Sequence, residues 1–312
     1  MRCLVLGACG FIGRHLVDDL LENGHEVLAY DRAEALQLMT PLHPQLKCIA
    51  GDFQRELRWG EILQGVKVCY HLISTSVPKS SNDDPISDVT GNVLGSLHLL
   101  EAARRHNVRI VFTSSGGTVY GSLKGDVVRE DHPTDPLCSY GITKLAIEKY
   151  LQLYRELYGV NSVVLRIANP YGPGQRPDAI QGVVAVFSGR ILRNHVLDLW
   201  GDGSVVRDYV FVKDVVAAMR AAAAYRGRYS VFNIGAGQGV SLREILVAIE
   251  ELSGKKAEVI YHPPRGFDIP KSVLDISRAN GELGWSPCVS LHEGLRQTLD
   301  WMKDYIASSP DA

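Results

Sequence analysis

Apolar residues follow two alternating patterns along the first half of the chain. Compact runs at residues 2–6, 26–30, 47–51, 66–72, 109–112 and 162–167 are bounded by Gly, Asp, Asn or Ser and read as strands. Residues 14–23, residues 86–107 and the stretch that begins at Tyr140 instead repeat their apolar positions every three to four residues, as a helix with one buried face does. Nearly continuous apolar strands are those covered on both sides. The alternation therefore predicts an α/β fold, a doubly wound parallel sheet with helices on both faces. Residues 74–85, rich in Ser, Pro, Asn and Asp, read as loop.

Beyond residue 169 the pattern loosens. Residues 208–212, the Ala-rich helix after them and residues 229–234 read as a return to the same sheet. The expected division is residues 1–168 and 207–234 in one domain, and 169–206 and 235–312 in a second, smaller, discontinuous α/β domain. A cleft between two such domains is the usual ligand site. Residues 296–306 read as a terminal helix.

Composition narrows the partners. A formal net charge of -2 and a pI near 6.6 provide no electrostatic attraction for nucleic acid or an anionic membrane, so any anionic ligand must be held by local groups. Apolar runs are too short to span a bilayer, and the amino terminus enters a strand at once, so a cytoplasmic protein is expected. Cys3, Cys9, Cys48, Cys69, Cys138 and Cys288 show no metal or disulfide spacing and read as reduced thiols, mostly in the core.

The strand at 2–6 runs into Gly7-Ala8-Cys9-Gly10-Phe11-Ile12-Gly13 and then a helix. Glycines there let the backbone approach a pyrophosphate, and the helix amino terminus offers unpaired N–H groups and a positive dipole end. Asp31 ends the second strand, where an acid bonds the hydroxyls of an adenosine ribose and repels a 2'-phosphate, which favours NAD over NADP. Arg32 points the other way, because guanidinium groups bind phosphate. Asp52 and Phe53 follow the third strand and suit the flanks of an adenine, with solvated loop as the alternative. Asn92 lies inside a helical stretch, either simply exposed or holding a backbone group or water near the site.

Tyr140 and Lys144 stand four residues apart, on one face of a helix. A cationic Lys144 beside the phenol favours tyrosinate, and the pair then serves as a proton-transfer device next to a redox cofactor. The same spacing occurs by chance on many amphipathic helices. The preceding loop, residues 113–121, carries several hydroxyls at the carboxyl end of a strand, where ligands of doubly wound sheets bind.

Together the stretches GACGFIG (7–13), SSGGTVYG (114–121) and YGITK (140–144), with Asp31, resemble the extended short-chain dehydrogenase/reductase family. LRIANPYGPGQ (165–175), WGDGSVVRDYVFVKDV (200–215), FNIGAG (232–237), RGFDIPKSVLD (265–275) and LGWSP (283–287) are similar to its nucleotide-sugar epimerase branch. The similarity covers nearly the whole chain in the expected order.

The resemblance implies a Rossmann-type sheet holding NAD with Gly7, Gly10, Phe11, Ile12, Asp31, Arg32, Asp52, Phe53, Leu72, Asn92, Tyr140 and Lys144. It makes Tyr140 the acid/base for a sugar hydroxyl and has Lys144 hold the nicotinamide ribose and lower the tyrosine's pKa. A loop hydroxyl bonds the reacting oxygen. This loop has one residue more before VYG than the commonest family form, which leaves two hydroxyls open to the role, Ser115 favoured and Ser114 second. Dehydratases and decarboxylases of the family place Asp or Glu just before VYG, where this chain has Gly116, Gly117 and Thr118. What remains is oxidation, rotation and re-reduction at one carbon, that is, 4-epimerisation.

For the substrate, a nucleotide-diphosphate sugar, the resemblance implies Ser115, Asn169, Arg207, Arg265, Asp268 and Ser272, with both arginines on the diphosphate. A local surface ion pair is the alternative for Arg207-Asp208. Ser272 stands where glucose-restricted relatives carry tyrosine, so UDP-N-acetylglucosamine and UDP-N-acetylgalactosamine are expected, with UDP-glucose and UDP-galactose as further substrates. Rival readings are an NAD(P)H-dependent keto-sugar reductase, an epimerase of a lipid-diphosphate-linked sugar and a non-catalytic dinucleotide-binding scaffold. Family members commonly dimerise through a four-helix bundle that includes the Tyr/Lys helix. Leu145, Ile147, Leu151, Leu153 and Leu157 permit a homodimer here but would equally serve internal packing.

Overall fold

The computed structural model describes residues 1–37, 39, 43–78, 80–121, 127–178, 182–264 and 269–308. Among these, β1 (Arg2–Leu6), β2 (Glu26–Asp31), β3 (Leu46–Ala50), β4 (Val68–His71), β5 (Arg109–Ser115) and β6 (Ser162–Ile167) join the strand Val231–Ile234 in one seven-stranded parallel sheet. Its spatial order is Val231–Ile234, β6, β5, β4, β1, β2, β3. Chain direction across the sheet reverses between β1 and β4, and the crevice outside the carboxyl ends there is the binding position of doubly wound sheets.

Strand alternation explains why both faces are apolar. Cys3, Val5, Val27, Ala29, Val68, Tyr70, Val111, Val163 and Leu165 point to one face and meet Leu16, Val17 and Leu20 of the helix Phe11–Glu22 and Val215, Met219 and Ala222 of the helix Val212–Ala224. Leu4, Leu6, Leu28, Tyr30, Cys69, Ile110, Phe112 and Val164 point to the other. There they meet Leu99, Leu100 and Ala103 of the helix Gly95–His106 and Ile147, Leu151 and Tyr154 of the helix Ser139–Tyr158. Each such fully buried aliphatic side chain contributes about 2 kcal/mol before the entropy of ordering it is subtracted.

The expectation for residues 208–212 is corrected. The strand Val206–Phe211 is not in the large sheet; it pairs in parallel with Asn169–Tyr171 and Lys271–Ser272 and antiparallel with Gly239–Ser241, forming the hub of a smaller sheet. Only the helix after it and the strand Val231–Ile234 return. A two-stranded unit, Leu197–Trp200 with Val259–His262, packs beside it, and the terminal helix runs over Leu291–Ser308. The smaller core gathers Phe187, Leu197, Leu199, Phe211, Ile245, Leu295 and Leu299.

Two other readings change. The helical stretch read as 86–107 is three joined pieces: α-helix Pro85–Asp88, π-helix Val89–Leu94 and α-helix Gly95–His106. Of the six cysteines only Cys3 and Cys69 are fully buried, while Cys48 and Cys288 are exposed. No helix among the described residues is long and apolar enough to cross a membrane.

Candidate active site

The glycine loop turns sharply off β1. The N–H groups of Gly7 and Ala8 both reach the carbonyl of Tyr30, and Gly7 adopts φ +83°, which a side chain would strain. At Gly13 a Cβ would lie 2.1 Å from the Gly7 carbonyl oxygen, so helix and loop can touch only because position 13 is glycine. Gly10 caps the helix without a side-chain acceptor, so the first N–H groups, at Phe11 and Ile12, keep their donors for an anion.

Asp31, half-buried at the end of β2, takes the Cys9 N–H at 2.9 Å on Oδ2 and the Arg32 N–H at 2.9 Å on Oδ1. The acid is thereby oriented over the loop with lone pairs to spare, whereas Arg32 is exposed. This cradle of close glycines, open N–H groups and an oriented acid fits a dinucleotide such as NAD. Leu72 belongs to the same wall: the backbone of Leu72 and Ile73 lies 3.3–3.4 Å from where a Gly7 Cβ would be.

Asp52 is exposed and accepts the Gln54 N–H, a turn contact. The ring of Phe53 is only 4 % exposed and packs on Trp59 and His71, so it serves the core and offers no free face to an adenine. Asn92 is buried in the π-helix and, of the options open to it, holds a backbone group: its Oδ1 takes the Thr75 N–H at 2.9 Å.

Tyr140 and Lys144 lie in the first turns of the helix Ser139–Tyr158. Lys144 Nζ is buried, donates to the Thr113 carbonyl at 3.0 Å, and sits 4.8 Å from the Phe112 ring centroid and 5.7 Å from that of Tyr140. Burial brings its pKa down to about 8, against the opposing pull of Asp88 and Glu148. The expected lowering of the tyrosine's pKa is not found in the ligand-free protein. Burial pushes the Tyr140 phenol up to about 12, and Cys138 and Asp88 add to the rise. The ammonium faces a carbonyl and ring faces, so desolvation outweighs it at the phenol.

The two loop serines separate cleanly. Ser114 is buried and donates to Glu148 Oε1 at 2.5 Å; Glu148 is itself clasped by Arg166, with Nη2 to Oε2 at 2.6 Å. Ser115 is half-exposed, and its hydroxyl has no partner among the described residues. Thr118, in the same loop, has a buried hydroxyl without a partner, inside the protein rather than at an open surface.

Three residues expected at the substrate meet on adjacent strands of the smaller sheet. Asn169 stands opposite Tyr209, and Ser272 opposite Arg207. Asn169 Nδ2 donates to the Asp208 carbonyl at 2.9 Å, and Arg207 Nη1 to the carbonyls of Val206 and Ile269. Arg265 and Asp268 lie outside the described residues. The surface ion pair considered for Arg207-Asp208 is absent: Asp208 turns inward and takes the N–H groups of Ala236, Gly237 and Leu274.

Sequence reasoning missed how the Tyr/Lys helix begins. Cys138 does not cap it through its side chain; Asn82 Oδ1 takes the Ser139 N–H at 2.9 Å and Ser81 Oγ the Tyr140 N–H at 3.0 Å. Asp88 Oδ2 accepts from Ser139 Oγ at 2.6 Å and Thr143 Oγ1 at 3.3 Å. The available signal was the crowd of Ser, Asn and Asp at 74–88, which suits capping as well as turning.

The arrangement has counterparts among known proteins. Residues 3–235 match the NAD dependent epimerase/dehydratase family. A UDP-glucose 4-epimerase of Mycolicibacterium smegmatis is 41% identical over 97% of this chain and 99% of its own. The structure of a UDP-glucose 4-epimerase from Thermotoga maritima, bound to UDP-glucose, superposes with a TM-score of 0.91 at 37% identity, covering 98% of this chain and 100% of that one. A UDP-N-acetylglucosamine 4-epimerase from Methanobrevibacter ruminantium gives 0.92 at 28% identity, covering 97% and 98%. With this glycine cradle, Tyr/Lys helix and two-domain fold, the chain belongs to the NAD-dependent epimerase/dehydratase family, among its NAD-dependent sugar-nucleotide epimerases.

Proposed function

We propose that the protein interconverts the C4 epimers of UDP-sugars, with UDP-N-acetylglucosamine and UDP-N-acetylgalactosamine as the principal pair. The observation that carries the reading is Tyr140 and Lys144 set on a helix locked against the loop after β4, beside a loop at 116–118 that holds no carboxylate. Elimination chemistry would lack its acid/base there.

When bound, NAD supplies a reversible hydride acceptor and a cationic ring whose charge favours tyrosinate. Tyr140 takes the proton of the sugar 4-hydroxyl and returns it after the 4-keto sugar has turned its other face. Ser115 bonds the same oxygen. Lys144, protonated below about pH 8, contributes positive charge beneath the phenol and a donor for the nicotinamide ribose. Arg207, with Arg265, is assigned to the diphosphate, a task suited to guanidinium geometry.

Ser272, small and buried next to Arg207 in register, supports room for an acetamido group. The UDP-glucose/UDP-galactose pair is the second reading, favoured by the names of the relatives at 41% and 37% identity. Incubation with each UDP-sugar, without added cofactor, followed by NMR for the 4-epimer tests both. A requirement for stoichiometric reduced nucleotide would replace epimerase by reductase. Turnover of lipid-diphosphate-linked sugars alone would reassign the substrate, and NAD binding without turnover of any sugar would leave a scaffold.

A homodimer is part of the proposal. Ile147 and Leu151 are spent on the core, but Ile142, Tyr150, Leu153 and Leu157 form an exposed stripe on the same helix, with Ile86, Val89 and Leu94 exposed on the adjoining helical run. Sedimentation equilibrium tests it.

A further inference from the structure

We infer that Asp88 is a positioning residue that joins the segment after β4 to the helix carrying Tyr140 and Lys144, and that its carboxylate bears on both of those groups. Asp88 is 2 % exposed and divides its two oxygens between two parts of the site. Oδ1 accepts from the Ser76 hydroxyl and from Asn92 Nδ2 at 2.7 Å, and Asn92 in turn receives the Thr75 N–H. This arm holds the chain just after Leu72 and Ile73, the residues that flank Gly7. Oδ2 accepts from Ser139 Oγ and Thr143 Oγ1, the residues that precede Tyr140 and Lys144.

All four partners are neutral donors, and among the described residues no cationic side chain forms an ion pair with Asp88. Asn92 Nδ2 and the hydroxyls of Ser76 and Ser139 suit an accepting carboxylate, while Thr143 Oγ1 is shared with the Tyr140 carbonyl, 3.0 Å away. The charge is thus buried without a contacting counter-ion and acts at short range in a poorly screened interior. The groups within its reach are on the helix it anchors. Burial is the larger influence on both groups; beside it, Asp88 adds to the rise at Tyr140 and opposes the fall at Lys144. The other charged or titratable groups around this pair are Glu148 on the same helix, itself paired with Arg166, Cys138 at the helix start, and His71 on β4, which burial keeps neutral. None of these also bonds the segment after β4 and the catalytic helix together. Asp88 does both.

Four variants separate the two roles, assayed on whichever UDP-sugar the protein turns over and, independently of turnover, by calorimetric titration with NAD. Asp88→Asn keeps the size and most of the bonds, because hydroxyl partners can reverse, but removes the charge. Its pH profile of kcat should move as a whole toward lower pH by at least ~0.5 unit, since both groups lose protons more readily. Asp88→Ala also cuts the arm to Asn92 and Ser76, and NAD affinity should fall about tenfold, roughly the size of one charge-assisted hydrogen bond. The Ser139→Ala/Thr143→Val variant cuts the helix arm and, with it, the Thr143 bond to the Tyr140 carbonyl, whereas Ser139→Ala alone spares that bond; kcat should drop about tenfold in the double variant and by most of that in Ser139→Ala, with NAD affinity and profile position unchanged.

An Asp88→Asn profile that superposes on the wild type after scaling, together with unchanged NAD affinity in Asp88→Ala, overturns the inference. If the Asp88 variants do not fold, an undiminished kcat in the Ser139/Thr143 variant overturns it. The inference rests on Tyr140 and Lys144 being the proton-handling pair, and Tyr140→Phe tests that separately. An active Tyr140→Phe removes the pair itself, whereas an inactive one with an unmoved Asp88→Asn profile removes Asp88 alone.

Discussion

Ser114 and Glu148 share a 2.5 Å hydrogen bond inside a buried ion pair with Arg166, and that bond distinguishes two adjacent serines. Ser114 is committed to the interior, and the half-exposed Ser115 is the hydroxyl proposed for the substrate. Ser115→Ala should lower kcat by about 10²-fold with the melting temperature unchanged, as loss of a donor to the reacting oxygen does. Ser114→Ala should do the reverse, costing about 1–3 kcal/mol of stability because Glu148 loses a donor, with kcat within a few-fold of wild type. Steady-state kinetics and thermal melts of both variants check the assignment, and an inactive, normally stable Ser114→Ala would exchange the two roles.

Lys144 should be a stability cost in the ligand-free protein. Its folded pKa, about 8, is below its ordinary 10.5. Between those values the unfolded chain holds a proton that the folded chain lacks, so stability rises with pH across that window. Below about pH 8 the full penalty is present, on the order of 3 kcal/mol before its bond to Thr113 is counted. Lys144→Met should therefore raise the melting temperature at pH 7 while abolishing turnover, and the gain should shrink toward pH 10. A variant less stable than wild type at pH 7 would contradict this.

Asp208 makes a second pH-dependent contribution, of opposite slope. Burial raises its carboxyl to about 6 despite three backbone N–H bonds. An acid whose folded pKa exceeds its unfolded one binds more protons folded, so stability from this group is present below about pH 4 and lost as pH rises to about 6. Denaturant melts should show a contribution from this group, on the order of 3 kcal/mol, disappearing over that range. Asp208→Asn should flatten that part of the curve, and an unchanged pH dependence in the variant would rule the assignment out.

Ser272 sets the remaining expectation. Its side chain is 6 % exposed beside Arg207, so a phenol there must project into neighbouring space. Ser272→Tyr should reduce kcat/KM for the acetamido sugars about 10–10²-fold and leave UDP-glucose within a few-fold, the scale of a lost pocket volume. Equal losses on both substrates would place Ser272 outside the sugar pocket.

Much of this was legible beforehand because it depends on short-range pattern. Apolar runs alternating with helical spacing predict the parallel sheet, and Gly7, Gly10 and Gly13 mark a turn that only glycine can make. What misled was always a matter of partners. The run at 206–211 looks like any buried strand, and which sheet it joins depends on Asn169–Tyr171 and Lys271–Ser272, whose paired residues lie far away in sequence, as Ser272 does from Arg207. Phe53 reads from the sequence as an adenine flank or part of a solvated loop, and only folding, which closes Trp59 and His71 over it, makes it a core ring.

By itself the sequence determined the α/β class, the glycine cradle, the Tyr140/Lys144 spacing and the missing carboxylate at 116–118, all properties of residues near one another in the chain. Tertiary structure alone decided which serine lacks a partner among the described residues, where Asp208 turns, and what caps the Tyr140/Lys144 helix. Those outcomes rest on burial and on hydrogen bonds between distant segments. A carboxylate such as Asp88 looks like an ordinary polar residue in a line of text. Its place beside the Tyr140/Lys144 helix arises only when folding removes water from around it and leaves it, among the described residues, with the hydroxyls of Ser76, Ser139 and Thr143 and the amide of Asn92 as donors.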